Sequence, residues 1–301
     1  NNMTWTGVTN NPEFTSTFGA GTLKLHGSLT LDPNMTCTVY DFQFAGSSTT
    51  STLFSAGLSL LSISVNSNGL VTLSDPLTCD AIVSYSGGFS SGNYDIHTTT
   101  LFANAGFNPI SFDFGTSTIY LTERHTLFGA LLTMNSANAN LVIEPSGSLP
   151  FEMIGDPVQY NVITCNANAY LDKITCNYFN AYNSGLTITS LTAQVADFRA
   201  SFMSYKMEVD TLRFTNGVHQ MLFDSLQING TWLTQSACDN TLSLNKATPF
   251  YSNAVLTKTT GTLSLDYLVL SNIHASGGAS FIANNSSDMG NNSGWTINAA
   301  P

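Results

Sequence analysis

The sequence predicts an all-β protein and, within that class, a right-handed parallel β-helix, in which the chain winds as a solenoid of stacked strands. Three observations support this prediction. Helical periodicity is almost absent, apolar and polar residues alternate with a period of two, and parts of the chain resemble one another approximately. A β-sandwich array is the alternative, because many short strands over 301 residues can also pack as sheets face to face.

The alternation is typical of short strands with one face inside the protein and the other toward water. Turns rich in Gly, Asn and Ser, such as "NSNG", "SGGFSSGN" and "NAYNSG", separate these strands. The alternating runs are "TLKLHGSLTL" (22–31), "LSLLSISV" (58–65), "ISFDFG" (110–115), "STIYLT" (117–122), "LTITSLTAQVADF" (186–198), "MEVDTLRF" (207–214) and "GTLSLDYLVLS" (261–271).

The approximate repeats favour the solenoid over the sandwich. The stretch "GSLTLDPNMTCTVYDFQFAG" resembles "GLVTLSDPLTCDAIVSYSGG", with Asp, Pro, Thr and Cys in nearly matching places. A solenoid needs such repeats because each rung, meaning one turn of the coil, stacks like side chains on like at about 4.8 Å. At about 20 to 25 residues per rung, the chain is expected to form about 12 to 14 rungs and a rod of roughly 60 Å.

The domain organisation is predicted to be simple. No linker or composition shift divides the chain, so residues 1–301 are expected to form a single elongated domain, with an internal join or excursion near 145–157. Residues 276–297 are predicted to form a C-terminal cap or a junction. The last rung of a β-helix exposes a strand edge and an uncovered core, and Phe281 and Trp295 are the predicted apolar lids.

The composition excludes several classes of partner. Only 9% of the residues are charged, with 19 acidic against 8 basic, whereas globular domains carry about a quarter. Such a surface, solvated by Ser, Thr and Asn, is typical of extracellular or virion proteins. The net charge of −11 argues against nucleic acid, because phosphate binding needs clustered Lys and Arg. No apolar run approaches the ~20 residues of a membrane span, so we expect no membrane insertion.

The first residues, Asn-Asn-Met, carry neither a charged nor an apolar leader region. Either a signal peptide has been removed or the chain is a piece of a longer polypeptide, and the sequence leaves both alternatives open.

The five cysteines predict neither a zinc site nor another cofactor. A zinc site requires closely paired ligands, and no CxxC pair occurs. Each cysteine is instead predicted to be a small buried hydrophobe on an inward strand position. An odd number of free buried thiols suits assembly in a reducing cytoplasm. The cysteines are Cys37, Cys79, Cys165, Cys176 and Cys238.

Two stretches of the sequence resemble a known group of proteins. The run "LVTLSDPLTCDAIVSYSGGFSSGNYDIHTTTLFANAGFNPISFDFGTSTIYLT" is similar to β-helical segments of bacteriophage fibre and other virion proteins, and of repetitive bacterial surface proteins. The run "LSLDYLVLSNIHASGGASFIANNSSDMGNNSGWTI" resembles the terminal coil of the same group. The resemblance covers most of 50–122 and 261–297. It implies a parallel β-helix in an extracellular fibre or virion appendage, and it implies no particular activity.

A catalytic site is not expected, although two sets of residues are candidates. Glycoside hydrolysis needs two carboxylates about 5 to 10 Å apart beside a groove, and alternation places Glu208 and Asp210 on one face. The competing interpretation is a solvated strand face. The other set is Glu123, Arg124 and His125 in "TERHT", where a charged strand end or turn is the competing interpretation.

Other catalytic chemistry has less support in the sequence. A serine nucleophile would need a GxSxG elbow between a strand and a helix, and neither is found. The remaining histidines are expected in ladders or at the surface. They are His26, His97, His219 and His274.

The closing loop "DMGNNSGW" contains a possible arrangement of calcium ligands. Asp288, Asn292 and Gly294 have oxygen-ligand spacing, but Ala299 stands where an EF-type loop needs its bidentate Glu. We therefore predict a cap and no metal.

The leading functional hypothesis is a structural fibre or appendage protein of a phage virion, which contacts a host glycan or receptor. Its partners would be copies of itself, with a trimer favoured, and other virion or filament proteins. The 19 Phe, 11 Tyr and 3 Trp suit both subunit contacts and sugars. The alternatives are a bacterial cell-surface adhesin or extracellular filament subunit, and a β-helical polysaccharide depolymerase. The sequence does not separate virion from cell surface.

Overall fold

A computed structural model describes residues 2–16, 21–46, 50–144, 150–155, 158–182, 186–199, 201–214, 220–234, 236–248 and 253–299. Within these ranges the chain forms strands and no helix, so no helix there could cross a membrane. The described strands stack in parallel as a β-solenoid of about 13 rungs. The predicted parallel β-helix is therefore confirmed, and the sandwich alternative is excluded.

The strands follow one another with short connections. The first sixteen are β1 (Met3–Thr4), β2 (Glu13–Thr15), β3 (Thr22–Leu25), β4 (Leu29–Thr30), β5 (Thr36–Thr38), β6 (Asp41–Phe44), β7 (Ser51–Phe54), β8 (Ser59–Leu73), β9 (Leu77–Ser90), β10 (Ile96–Asn104), β11 (Ile110–Asp113), β12 (Thr118–Phe128), β13 (Leu132–Asn135), β14 (Asn140–Ile143), β15 (Phe151–Gly155) and β16 (Val158–Cys165). The others are β17 (Ala169–Ala181), β18 (Leu186–Phe198), β19 (Phe202–Phe214), β20 (Gln220–Leu233), β21 (Leu242–Lys246), β22 (Ala254–Thr257), β23 (Thr262–Asp266), β24 (Leu268–Ser271), β25 (Ile273–Ser276), β26 (Ser280–Asn284), β27 (Ser287–Asp288) and β28 (Trp295–Ile297).

The chain divides into two compact units, Asn1–Asn161 and Val162–Pro301. Of the predicted join at 145–157, residues 150–155 are described and include β15, while 145–149 and 156–157 lie outside the described residues.

The rungs of the first unit are close to the length that the sequence predicts. Leu60, Cys79, Thr98 and Leu121 occupy one position in four successive rungs, so that the steps take 19, 19 and 23 residues. The repeated aspartates stabilise the corners between strands. Asp75 accepts hydrogen bonds from the backbone N–H groups of the preceding rung at Ser55 (2.8 Å) and Gly57 (3.3 Å).

The early rungs of the second unit are shorter than predicted. Ala169, Leu186 and Phe202 share one position, so these rungs take only 17 and 16 residues. The rung is short because β17, β18 and β19 bend around three faces without intervening loops. The buried residues of β17 show this geometry, since they come in pairs separated by two outward residues at each corner. They are Ala169 and Leu171, Ile174 and Cys176, and Phe179 and Ala181.

Each unit packs its own apolar interior, to which four of the five cysteines contribute. Cys37, Cys79, Cys165 and Cys176 are buried, and burial raises the pKa of the Cys79 and Cys176 thiols to about 12 and that of Cys165 to about 11. Cys238 is the exception, and its predicted burial is wrong. It lies exposed in the turn closed by the antiparallel bridge between Ala237 and Asn240.

Candidate functional site

A shallow groove of about 510 Å³ lies on the outer face of the first unit, across β3, β6, β8 and β9. Its volume falls within the range of about 300 to 1,000 Å³ that is typical of ligand sites. We call it the tyrosine groove. Its lining residues are Thr22, Tyr40, Asp41, Gln43, Leu61, Ser62, Ser64, Asp80, Ala81, Val83 and Tyr85.

Strand register brings these residues together from four rungs. Thr22 pairs with Asp41, and Ser62 pairs with Ala81. The register of Phe42 with Ile63 places Asp41 beside Ser62. Because alternate residues of a strand point to opposite faces, the neighbours of the buried Phe42 and Ile63 form the floor of the groove.

Two tyrosines flank this floor from opposite ends of the strands. Tyr40 directly precedes β6, and Tyr85 lies near the bend of β9, with each side chain 49% exposed. Leu61, 39% exposed, lies on the same side as Tyr40. A half-exposed tyrosine presents an apolar ring and a polar hydroxyl together, which suits a ligand with both apolar and hydroxylated faces.

The groove is acidic. Asp41 accepts a hydrogen bond from the Ser64 hydroxyl at 2.8 Å, and its other carboxylate oxygen is covered and has no donor among the described residues. Asp80 is exposed at the rim. None of the lining residues is Lys, Arg or His. In register, Lys24 is the neighbour of Gln43 at one end of the groove. The lining therefore carries two negative charges and no positive charge.

The predicted pair Glu208 and Asp210 lies elsewhere, on β19 in the second unit. Both side chains point outward, as the alternation predicts. Glu208 accepts hydrogen bonds from the side-chain amides of Gln227 (3.4 Å) and Asn229 (3.3 Å). Its carboxylate thus belongs to a polar ladder on a strand face, with amide neighbours on the next rung.

The "TERHT" residues lie within β12, and not at the strand end or turn that the sequence suggested. The register between β10 and β12 shifts between Thr98 and Thr100, which is a β-bulge at a corner. On the exterior, Arg124 forms a salt bridge of 3.2 Å with Glu152. Beyond the bulge, His125 points inward, is 1% exposed and lies 3.0 Å from the Tyr160 hydroxyl. The bulge therefore separates the three residues, so that they do not form one charged cluster.

The other histidines lie at the surface where they are described. His26, His97 and His274 are exposed, and His97 stacks on Tyr120 with ring centroids 4.1 Å apart. His219 lies outside the described residues.

Asp288 and Asn292 bond to each other in the closing loop. Asp288 accepts hydrogen bonds from the Gly290 backbone (2.8 Å) and the Asn292 amide (2.6 Å), while the Asn292 oxygen accepts from the Ile273 backbone (2.9 Å). These contacts are those of a turn fixed to the preceding rung. In the described part of the chain, no three His, Cys, Asp or Glu residues are grouped so that they could hold a metal ion.

The two predicted lid residues contact each other. Phe281 on β26 pairs in register with Trp295 on β28, and their rings meet edge to face with centroids 5.4 Å apart. Phe281 is 4% exposed and Trp295 is half-buried. The tryptophan thus packs on a buried phenylalanine of the neighbouring strand.

Sequence reasoning missed the tyrosine groove. The alternation in "YDFQF" correctly gives outward Asp41 and Gln43 with inward Phe42 and Phe44. The neighbours of these outward residues come from positions about twenty and forty residues later in the chain. They become visible only when the register of the rungs is known.

Comparison of the chain with protein-family models, with curated proteins and with solved structures gave no significant match.

Proposed function

We propose that this chain is a structural β-helical protein of a virion appendage, in first place a phage fibre, and that its first unit binds a glycan in the tyrosine groove. The fold and the scarcity of charge support the structural role. The observation that carries the glycan binding is the pair of half-exposed tyrosines, Tyr40 and Tyr85, on an acidic groove with a polar floor.

A bacterial cell-surface adhesin or filament subunit would use the same groove. It differs from a virion protein in its location, which is the cell surface in place of the phage particle. Immunogold labelling of intact virions and of bacterial cells with an antibody against the chain separates them. We favour the virion, and label confined to cell envelopes would reverse that order.

Self-association, with a trimer favoured, is part of the proposal. The first unit exposes apolar side chains that suit a subunit contact: Leu70 (37% exposed), Leu131 (45%) and Phe107 (94%). The mass of the chain in solution tests this part, and a monomer at all concentrations would contradict it.

Glycan binding predicts a specific effect of a tyrosine substitution. We expect Tyr85→Ala to weaken binding to the preferred oligosaccharide about tenfold, because a ring that stacks on a sugar contributes on the order of 1 kcal/mol. Titration calorimetry measures this effect. Tyr178→Ala is the matched control, because Tyr178 is 48% exposed in the second unit. Equal affinities of the two variants would refute the groove as the binding site.

A polysaccharide depolymerase is the second candidate function, and it is favoured by the two carboxylates, Asp41 and Asp80, that line one groove. They would replace Glu208 and Asp210 as the candidate acids. If the chain is a depolymerase, Asp41→Asn and Asp80→Asn should each abolish the release of reducing ends from a bound polysaccharide. Intact polysaccharide after prolonged incubation with the unaltered chain would reject this candidate.

A further inference from the structure

We infer that the tyrosine groove takes a linear glycan without acidic groups, which lies along the stack of strands with successive sugars over successive rungs. This inference rests on the proposed glycan binding and specifies its substrate class. It depends on the direction of the groove and on its charge.

The direction of the groove follows from its floor. One row of outward residues runs through Thr22, Asp41, Ser62 and Ala81 on four successive rungs. Rungs are about 4.8 Å apart, so the row extends about 14 Å along the stack. The rise per sugar in an extended glycan is close to this spacing. A linear glycan in this direction can therefore repeat the same contact from one rung to the next.

The side chains of the floor are also small enough to leave room for such a glycan. A second row runs beside the first through Gln43, Ser64 and Val83. In the rungs of β8 and β9 the floor thus consists of small residues, while Leu61 and Tyr85 rise at its margins. A glycan lying along the rows would contact the tyrosine rings at the margins and the hydroxyl and amide groups of the floor.

A peptide strand fits this place less well. The floor is the face of a sheet whose strands pair on both sides, since β8 pairs with β6 and with β9. The backbone groups of β8 are thus used within the sheet, and a peptide could not add to it by β-augmentation. The ligand must be recognised by side chains, as sugars are.

The charge of the groove selects against acidic sugars. Asp41 lies in the floor and Asp80 at the rim, and the lining contains no basic residue. Residues 1–161 contain eleven of the 19 acidic side chains but only two of the 8 basic ones. Lys24, the basic neighbour of Gln43 in register, is outnumbered by Asp41 and Asp80, so a uronate or sialate in the groove would meet net like charge within the Debye length of about 10 Å. Neutral hydroxyls or an ammonium group can instead donate hydrogen bonds to the exposed carboxylate of Asp80.

An oligosaccharide array tests the inference directly. It would display linear neutral, amino-bearing and acidic oligosaccharides of two to six sugars, probed with the unaltered chain, Tyr85→Ala and Asp80→Asn. We expect every signal lost in Tyr85→Ala to come from a neutral or amino sugar. Signals should rise from two to about four sugars and then level off, because the floor spans four rungs. Asp80→Asn should raise binding of acidic oligosaccharides about three- to tenfold, whereas Asp210→Asn, an exposed acid of the second unit, should not.

The outcomes are distinguishable. If acidic oligosaccharides bind as well as neutral ones, or if affinity does not depend on length, the inference is overturned while glycan binding in the groove stands. If no oligosaccharide binds, or if Tyr85→Ala changes nothing, the proposed binding function fails together with the inference.

Discussion

Replacement of Phe198 by alanine is expected to lower the free energy of unfolding by about 3 to 5 kcal/mol, as for other large-to-small substitutions in a packed core. Phe198 is 0% exposed. Its ring contacts those of Phe179, Phe202 and Phe214, with centroid distances of 5.6, 3.7 and 6.1 Å. Removal of the ring leaves a cavity among three consecutive rungs, and a solenoid is stabilised mainly by contacts between neighbouring rungs. Guanidinium unfolding followed by circular dichroism measures the loss.

Two further variants serve as controls for this measurement. Tyr178→Ala removes an aromatic side chain of the same unit that is 48% exposed, and should change the stability by no more than about 0.5 kcal/mol. Phe198→Leu keeps most of the buried volume and should cost less than the alanine variant. A loss below about 1 kcal/mol in Phe198→Ala would show that the aromatic cluster is not packed as described.

Acidification from pH 7 to pH 4 is expected to cost about 3 kcal/mol of stability through His125 alone. Burial lowers the pKa of His125 from 6.5 to about 4. Above pH 6.5 the ring is neutral in both states. Between pH 6.5 and 4 the unfolded chain binds a proton that the folded chain does not, so stability falls as the pH falls through this window. The contribution of neutral, buried His125 to stability is therefore fully present above pH 6.5, the pKa of the unfolded chain. It is lost as the pH falls toward the pKa of the folded chain, which is about 4.

The double variant His125→Leu, Tyr160→Phe isolates this contribution. It removes both partners of the buried hydrogen bond, so neither group is left unsatisfied. Between pH 4 and 6.5 we expect the unfolding free energy of the double variant to depend less steeply on pH than that of the unaltered chain. The difference in slope should correspond to the uptake of about one proton on unfolding. Identical slopes in the unaltered chain and the double variant would contradict the assignment to His125.

The buried position of His125 shows where sequence reasoning reaches its limit. In "TERHT" the three consecutive polar residues suggest a solvated turn. In the structure the β-bulge turns Glu123 and Arg124 outward and His125 inward. His125 there pairs in register with Leu101 on the preceding rung and with Met153 on the following rung. A polar residue is tolerated there because the Tyr160 hydroxyl satisfies it, and Tyr160 lies 35 residues later in the chain. The sequence gives no local sign of that partner.

The corners of the rungs limited the predictions in the same way. Alternation correctly gives the inward and outward residues of single faces, as in β6. At each corner of β17 two consecutive residues point outward, which interrupts the alternation. The buried residues on either side of a corner are therefore three positions apart, whereas those within one face are two positions apart. The short rungs of the second unit therefore could not be counted from periodicity alone. The exposed Cys238 has a similar cause, because it lies in a tight turn and not on a strand.

By itself, the sequence determined the all-β class, the parallel solenoid and the outward positions of Glu208 and Asp210. Alternation and approximate repetition are local properties, and each follows from the geometry of a strand or from the stacking of like on like. Only the tertiary structure decided which outward side chains meet. Tyr40, Ser62 and Asp80 come from three rungs, and a shift of one residue in register would turn each of them to the other face. The groove is a product of that register, which depends on how all the rungs pack.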